Sequence, residues 1–194
     1  EGIGRFSIDH RAAVGAGALV IIALFAWGAW SVEVETTYLT YFPKDDPVRQ
    51  SVEAVNEHLG LGDAAFFVAI DGPETDSITQ LSTLHRIAAL QDYIERMPQV
   101  KSTSSIVDYV KLLHRTLHDN DPAYYGLPDT DAAVSQYMLL LDPETLGDVL
   151  SGDSSRGVIL VRSNIHVSKT MNEAVGRIEE FAAGMFPASF SVQA

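Results

Sequence analysis

From Ala12 to Val32 the chain carries no ionisable side chain, and this run limits the fold more than any other feature of the sequence. The nineteen residues Ala12–Trp30, AAVGAGALVIIALFAWGAW, form a helix roughly 28 Å long if they are helical throughout. That length matches a bilayer hydrocarbon core of about 30 Å. Inside lipid every backbone N–H and C=O must be satisfied within the segment, which selects a helix. Arg5 and Arg11 precede the run, and Glu33 and Glu35 follow it. The positive-inside bias then predicts a cytoplasmic N-terminus, one span, and residues 33–194 outside. Trp27 and Trp30 fall where indole rings favour the outer interface. Ala13 and Gly17, one helical turn apart, offer a small-residue face on which another transmembrane helix can pack closely. A cleaved signal peptide fits the positive flank but not the length of the run or the tryptophans at its end. A buried helix of a soluble protein is rarely apolar on every face for so long.

The expected organisation is therefore a cytoplasmic flank and transmembrane helix at 1–32 and a soluble domain at 33–194. The two acids and two arginines before Ala12 cancel, so the net charge of −13 belongs to the domain. Such a surface repels phosphate backbones, and no nucleic-acid partner is expected. The absence of cysteine removes disulfides, thiolate metal sites and thiol catalysis.

Within the domain, Val34–Phe42 reads as extended and Pro43 ends it. Asp46 and Pro47 open a helix whose Val48, Val52, Val55 and Leu59 share one face, closed by Gly60. Ala64–Ile70 is a buried strand stopped by Asp71-Gly72-Pro73. Ser77 and Gln80 read as a capping box opening a helix that runs to Met97, and Val100–Ser104 as a short strand. Ser105 and Asp108 cap a helix over Ile106–His118, with Tyr109, Val110, Leu113 and Leu117 on its core face. A loop, His118–Asp131, leads to a helix at Ala132–Leu141 and a weak turn at Pro143–Leu150. Gly157–Ile165 is a strand, Ser168–Met185 a helix facing inward through Met171, Val175, Ile178 and Phe181, and Ser189–Gln193 a last strand. Two strand–helix–strand units with helices inserted at about 105–150 predict an α+β fold of the ferredoxin-like, split βαβ kind.

The chemistry-bearing residues are few. His114 and His118 are four apart on a helix, but HRTLH lacks the glutamate of a zinc-protease helix, and the pair reads as a surface pair. Asp119-Asn120-Asp121 starts like a calcium loop and then fails, with Ala123, Tyr124 and Thr130 where ligands, glycine and glutamate are needed. Tyr124 and Tyr125 either pin their loop to the core or line a route for an apolar substrate. Lys44, Asp45, Asp46 and Arg49 form a charged cluster, either a solvated helix start or a place for a neighbouring domain to dock. No nucleophile elbow, phosphate loop or dinucleotide fingerprint is present, so neither catalysis nor a cofactor is expected.

The order of segments resembles a known family. A span is followed by YFPKDDPVRQS (Tyr41–Ser51) and a βαβ unit. Then come SIVDYVKLLHRTLHDNDPAYYGLP (Ser105–Pro128) and RGVILVRSNI (Arg156–Ile165) with a helix behind it. This is similar to the N-terminal part of RND-superfamily exporters of the MMPL and hopanoid-transporter type. The resemblance implies a bacterial inner-membrane protein whose residues 33–194 are a periplasmic porter domain. It also implies proton-driven export of lipids or other hydrophobic molecules, with the bilayer and further transmembrane helices as partners. The proton-coupling acids of that family lie on helices absent from these 194 residues. A second expectation stands beside the first: a single-span accessory or scaffold subunit of a membrane complex, self-associating or packed on other helices. A sensor domain of a receptor is a third.

Overall fold

The computed structural model describes residues 11–30, 41–59, 64–165 and 167–194. The chain divides into two compact units, Glu1–Glu35 and Thr36–Ala194.

The first unit contains helix α1, Arg11–Trp30, of 20 residues. Its side chains are described over 15–28, and those positions are exposed. Among the described residues no helix is long and apolar enough to cross a membrane.

In the second unit the described residues start with a turn at Tyr41 and helix α2, Pro47–Leu59. Asp46 caps it: its carboxylate accepts the N–H of Val48 at 2.8 Å, and its carbonyl accepts that of Gln50 at 3.0 Å. Most of the strand expected at Val34–Phe42, and the Gly60 cap, lie outside the described residues.

The rest is α+β. Strands β1 (Ala64–Asp71), β2 (Val100–Ser104), β3 (Arg156–Ser163) and β4 (Ser191–Gln193) form one sheet in the order β2-β3-β1-β4. Every neighbouring pair is antiparallel. Helix α3 (Leu81–Glu95) joins β1 to β2, and helix α7 (Ser168–Met185) joins β3 to β4. The strands of each unit are thus separated by a strand of the other, which is the split βαβ topology. Between β2 and β3 are inserted α4 (Ile106–Leu117), a 3-10 turn (Pro122–Tyr124), α5 (Asp131–Leu140) and α6 (Pro143–Leu146).

The core lies between one sheet face and the helices. Val68, Ile70, Ile159 and Val161 of the sheet, with Leu84, Leu90, Ile94 and Ile178 of the helices, are fully buried. Burying each such side chain is worth about 1.5–3 kcal/mol. Alternation along β1 and β3 puts Phe67, Ala69, Val158 and Leu160 on the other face, where Phe67 is exposed and the other three are half-buried.

Three expectations need correction. Helix α3 begins at Leu81, not Ser77, and no side-chain cap comes from Gln80. Residues 75–79 form turns instead. The Ser77 hydroxyl bonds locally to the N–H and C=O of Glu74, and the Ile78 N–H donates to the Ser154 carbonyl. Helix α4 buries Ile106, Val107 and Val110, whereas Leu117 is exposed because the chain turns away just beyond it. In α7 the fully covered stripe is Ala174, Ile178 and Ala182; Met171, Val175 and Phe181 are half-buried at its sides. Small residues along the midline let the helix backbone approach the sheet, and Phe181 stacks on Tyr93 at 4.0 Å beside it.

Candidate functional site

The end of α4 and the loop after it gather most of the side chains singled out by sequence. Ser105 and Asp108 form the reciprocal capping box that starts the helix. Past its last residue, Leu117, Asp119 and Asn120 adopt positive φ of 56° and 59°, a region Asp and Asn tolerate better than most residues. The chain is thereby folded back on the helix, with the Asn120 N–H donating to the Arg115 carbonyl at 3.0 Å. The Asp121 carboxylate accepts the Ala123 N–H at 2.9 Å and opens the 3-10 turn.

This turn lays the Tyr124 ring flat on His118, centroids 4.0 Å apart. His114 meets His118 edge-on at 4.8 Å and Tyr124 at 5.7 Å. Tyr125 sits under the Arg115 guanidinium at 5.2 Å, a cation–π distance. Both tyrosines keep an exposed side, 42% for Tyr124 and 51% for Tyr125.

The histidines are held by backbone carbonyls. Nδ1 of His114 is 2.9 Å from the Gly126 oxygen, and Nδ1 of His118 is 2.8 Å from the His114 oxygen. A carbonyl can only accept, so each Nδ1 carries the hydrogen and donates it. Among the described residues no group of three or more His, Asp or Glu side chains is arranged to hold a metal ion.

A groove of about 160 Å³ opens beside this cluster, lined by Ser104, Asp108, Tyr109, Leu112 and Tyr125. Leu112 is exposed, and the walls are largely apolar or aromatic. The one carboxylate there is already engaged, accepting from the Ser105 N–H at 2.8 Å and Gln91 Nε2 at 2.9 Å. The groove can hold an apolar group and offers no activated nucleophile. A larger cavity of about 440 Å³ lies at the end of α7, between Ala182, Phe186, Phe190 and Val192.

Two members of the charged cluster make local hydrogen bonds. Arg49 Nη1 donates to the Phe42 carbonyl at 3.1 Å, and Asp46 caps α2, while Lys44 and Asp45 are exposed. Gly17 lies in α1 with open space where a Cβ would stand, and the Ala13 side chain is outside the described residues.

Sequence reasoning missed the polar ties between elements. Gln91, almost fully buried, bonds Thr103 (3.1 Å), Asp108 and Ser105 (2.7 Å), and Glu95 accepts from the Thr103 hydroxyl at 2.6 Å. Asp153 gathers the hydroxyls of Ser151 and Ser155 and the Ser155 N–H, which hold its carboxyl down at about 2. Beside it Arg156 pairs with Asp71, whose hydrogen bond and charge push the guanidinium pKa further up. The sequence signal for the Asp153 turn was its pair of flanking serines.

Topology and groove together define an α+β domain with an aromatic, apolar surface groove. No protein-family model matches the chain, and no curated protein matches it.

Proposed function

We propose that this chain is the first transmembrane helix and first periplasmic porter domain of a proton-driven RND-type exporter of lipids or other hydrophobic molecules. The observation that carries the reading is the ordered resemblance, with FPKDDPVR ahead of one βαβ unit and DPAYYGLP in an insert ahead of the second. An α+β sheet in the order β2-β3-β1-β4 with helices inserted between its halves is compatible with a ferredoxin-like porter domain. In this reading α1 and the apolar residues flanking it form the span, Ala13 and Gly17 face another helix, and the domain lies in the periplasm. The groove beside Tyr109, Leu112 and Tyr125 would border the path of an apolar substrate.

The test is depletion of the protein in its native host, followed by lipid analysis of separated inner and outer membranes. Accumulation of a hydrophobic compound in the inner membrane is expected. An unchanged lipid distribution, together with an intact mass near 21.1 kDa for the solubilised native protein, would overturn the exporter reading in favour of a single-span subunit.

A further inference from the structure

The face of α4 that lines the groove continues beyond it. Asp108, Leu112 and Arg115 follow one another at helical spacing, and Lys111 stands one turn before Arg115. Tyr125 belongs to both regions: it lines the groove, and the Arg115 guanidinium lies over its ring at 5.2 Å. An exposed leucine and an exposed tyrosine therefore lead directly to a cation.

That cation is incompletely satisfied. Nε of Arg115 is shielded from solvent and has no hydrogen-bond partner. Among the described residues neither Arg115 nor Lys111 has an ion-pair partner, although the chain has a net charge of −13. Two of the acids nearby in sequence are held elsewhere. Asp108 accepts from the Ser105 N–H and Gln91 Nε2, and Asp121 accepts from the Ala123 N–H. A shielded N–H with no acceptor is uncommon in a folded protein. We infer that the groove and this guanidinium are one binding site, and that it takes an amphiphile with a carboxylate or phosphate headgroup. The apolar part lies against Tyr109, Leu112 and Tyr125, and the oxyanion pairs with Arg115.

The chemistry selects this class of ligand. A guanidinium stacked on an aromatic ring keeps its edge for hydrogen bonding, and Nε with one Nη forms a fork that fits two oxygens of a carboxylate or phosphate. Binding exchanges an unpaired N–H for a charge-assisted hydrogen bond, and Lys111 adds a second positive charge one turn away. An uncharged lipid leaves Nε unsatisfied, a cationic one is repelled, and a small free anion gains nothing from the apolar walls. At about 160 Å³ the groove holds the segment next to the headgroup and not a whole lipid tail. The inference takes its groove from the exporter reading but requires binding alone. A failure to bind leaves export open to the membrane lipid analysis, and an unchanged lipid distribution leaves the binding site in place.

The full chain in a neutral detergent, at about pH 8 where carboxyl groups are ionised, is titrated with dodecanoate, dodecanol and acetate in turn. Two-dimensional NMR follows the Leu112 methyl groups and the Arg115 Nε–H. Dodecanoate is expected to shift both signals saturably. Dodecanol, and dodecanoate added to Arg115→Gln, are each expected to bind at least about tenfold more weakly, the worth of a hydrogen bond to a charged group. Leu112→Ala changes an exposed side chain, so the fold is not at risk, and it is expected to weaken dodecanoate as well. Equal binding of dodecanoate and dodecanol, binding of acetate as tight as that of dodecanoate, unchanged affinity in either variant, or no saturable shift at Arg115 would overturn the inference.

Discussion

The carboxylate of Asp131, the first residue of α5, accepts the backbone N–H of Leu81, the first residue of α3, at 2.7 Å and across 50 positions of sequence. Helix α3 is thus capped by a side chain from a different helix. The same contact fixes the inserted helices to the βαβ unit they follow.

Asp131→Ala removes this cap, and the expected loss is about 1 kcal/mol of stability, as for other N-cap deletions. Urea unfolding of the detergent-solubilised chain, followed by far-UV circular dichroism, measures it. Asp131→Asn keeps an acceptor oxygen and is expected to retain most of the stability; an equal loss in both variants would mean that the hydrogen bond is not the source.

Gln91→Leu leaves the Ser105 hydroxyl hydrogen without its acceptor, and Asp108 and Thr103 each with one partner fewer, in a buried network that joins α3, β2 and α4. A loss of about 1–3 kcal/mol is expected from the orphaned groups, although the substitute is apolar and similar in volume. Combining it with Thr103→Val, which removes another member of the network, should give less than the sum of the single losses.

Gly157 has no room for a side chain: a Cβ there would stand 2.9 Å from Cγ2 of the fully buried Ile78. Gly157→Ala is expected to destabilise by about 1–3 kcal/mol through overpacking. Ile78→Ala removes Cγ2, so although it costs stability by itself, its combination with Gly157→Ala should lose less than the sum of the two single losses; equilibrium unfolding of the single and double variants reads both effects.

Asp153 titrates at about 2 in the folded chain, below the ordinary aspartate range near 3.9. A carboxyl whose folded value is depressed stabilises the fold above the unfolded value, and that contribution fades as pH falls through the folded one. The stability difference between the parent chain and Asp153→Asn should therefore be constant above about pH 5 and shrink as pH falls from about 4 to 2. A carbon-detected NMR titration of the Asp153 carboxyl should show its midpoint near 2.

What could be read in the sequence was local. Asp46-Pro47 marks the start of α2, Ser105 and Asp108 mark that of α4, and the spacing through Ile178 marks α7. Strand β2 has its expected ends because Pro98 and Ser105 bound it in sequence. The start of α3 was misread because Ser77 and Gln80 imitate a capping box, while the groups that set it come from Asp131 and from the Ser154 carbonyl. No window of neighbouring residues contains that information. For the site, the motif showed that Tyr124 and Tyr125 share a loop. That the loop turns back at Asp119 and Asn120, stacking one ring on His118 and the other under Arg115, depends on backbone conformation that sequence patterns leave open.

The central pairing of β1 with β3 has a consequence for how the chain is made. Asp71 meets Arg156 across 85 residues, so β1 leaves the ribosome long before its main partner exists. Until then its apolar residues have no sheet to enter, and loop closure over such a distance is slow. If the chain is threaded across a membrane as it is synthesised, Phe66, Phe67 and Val68 wait in the receiving compartment as an unpaired edge, open to aggregation until Val161 and Ile159 arrive. The inserted helices, built from contacts close in sequence, can form during that interval and shorten the effective loop that β3 has to close.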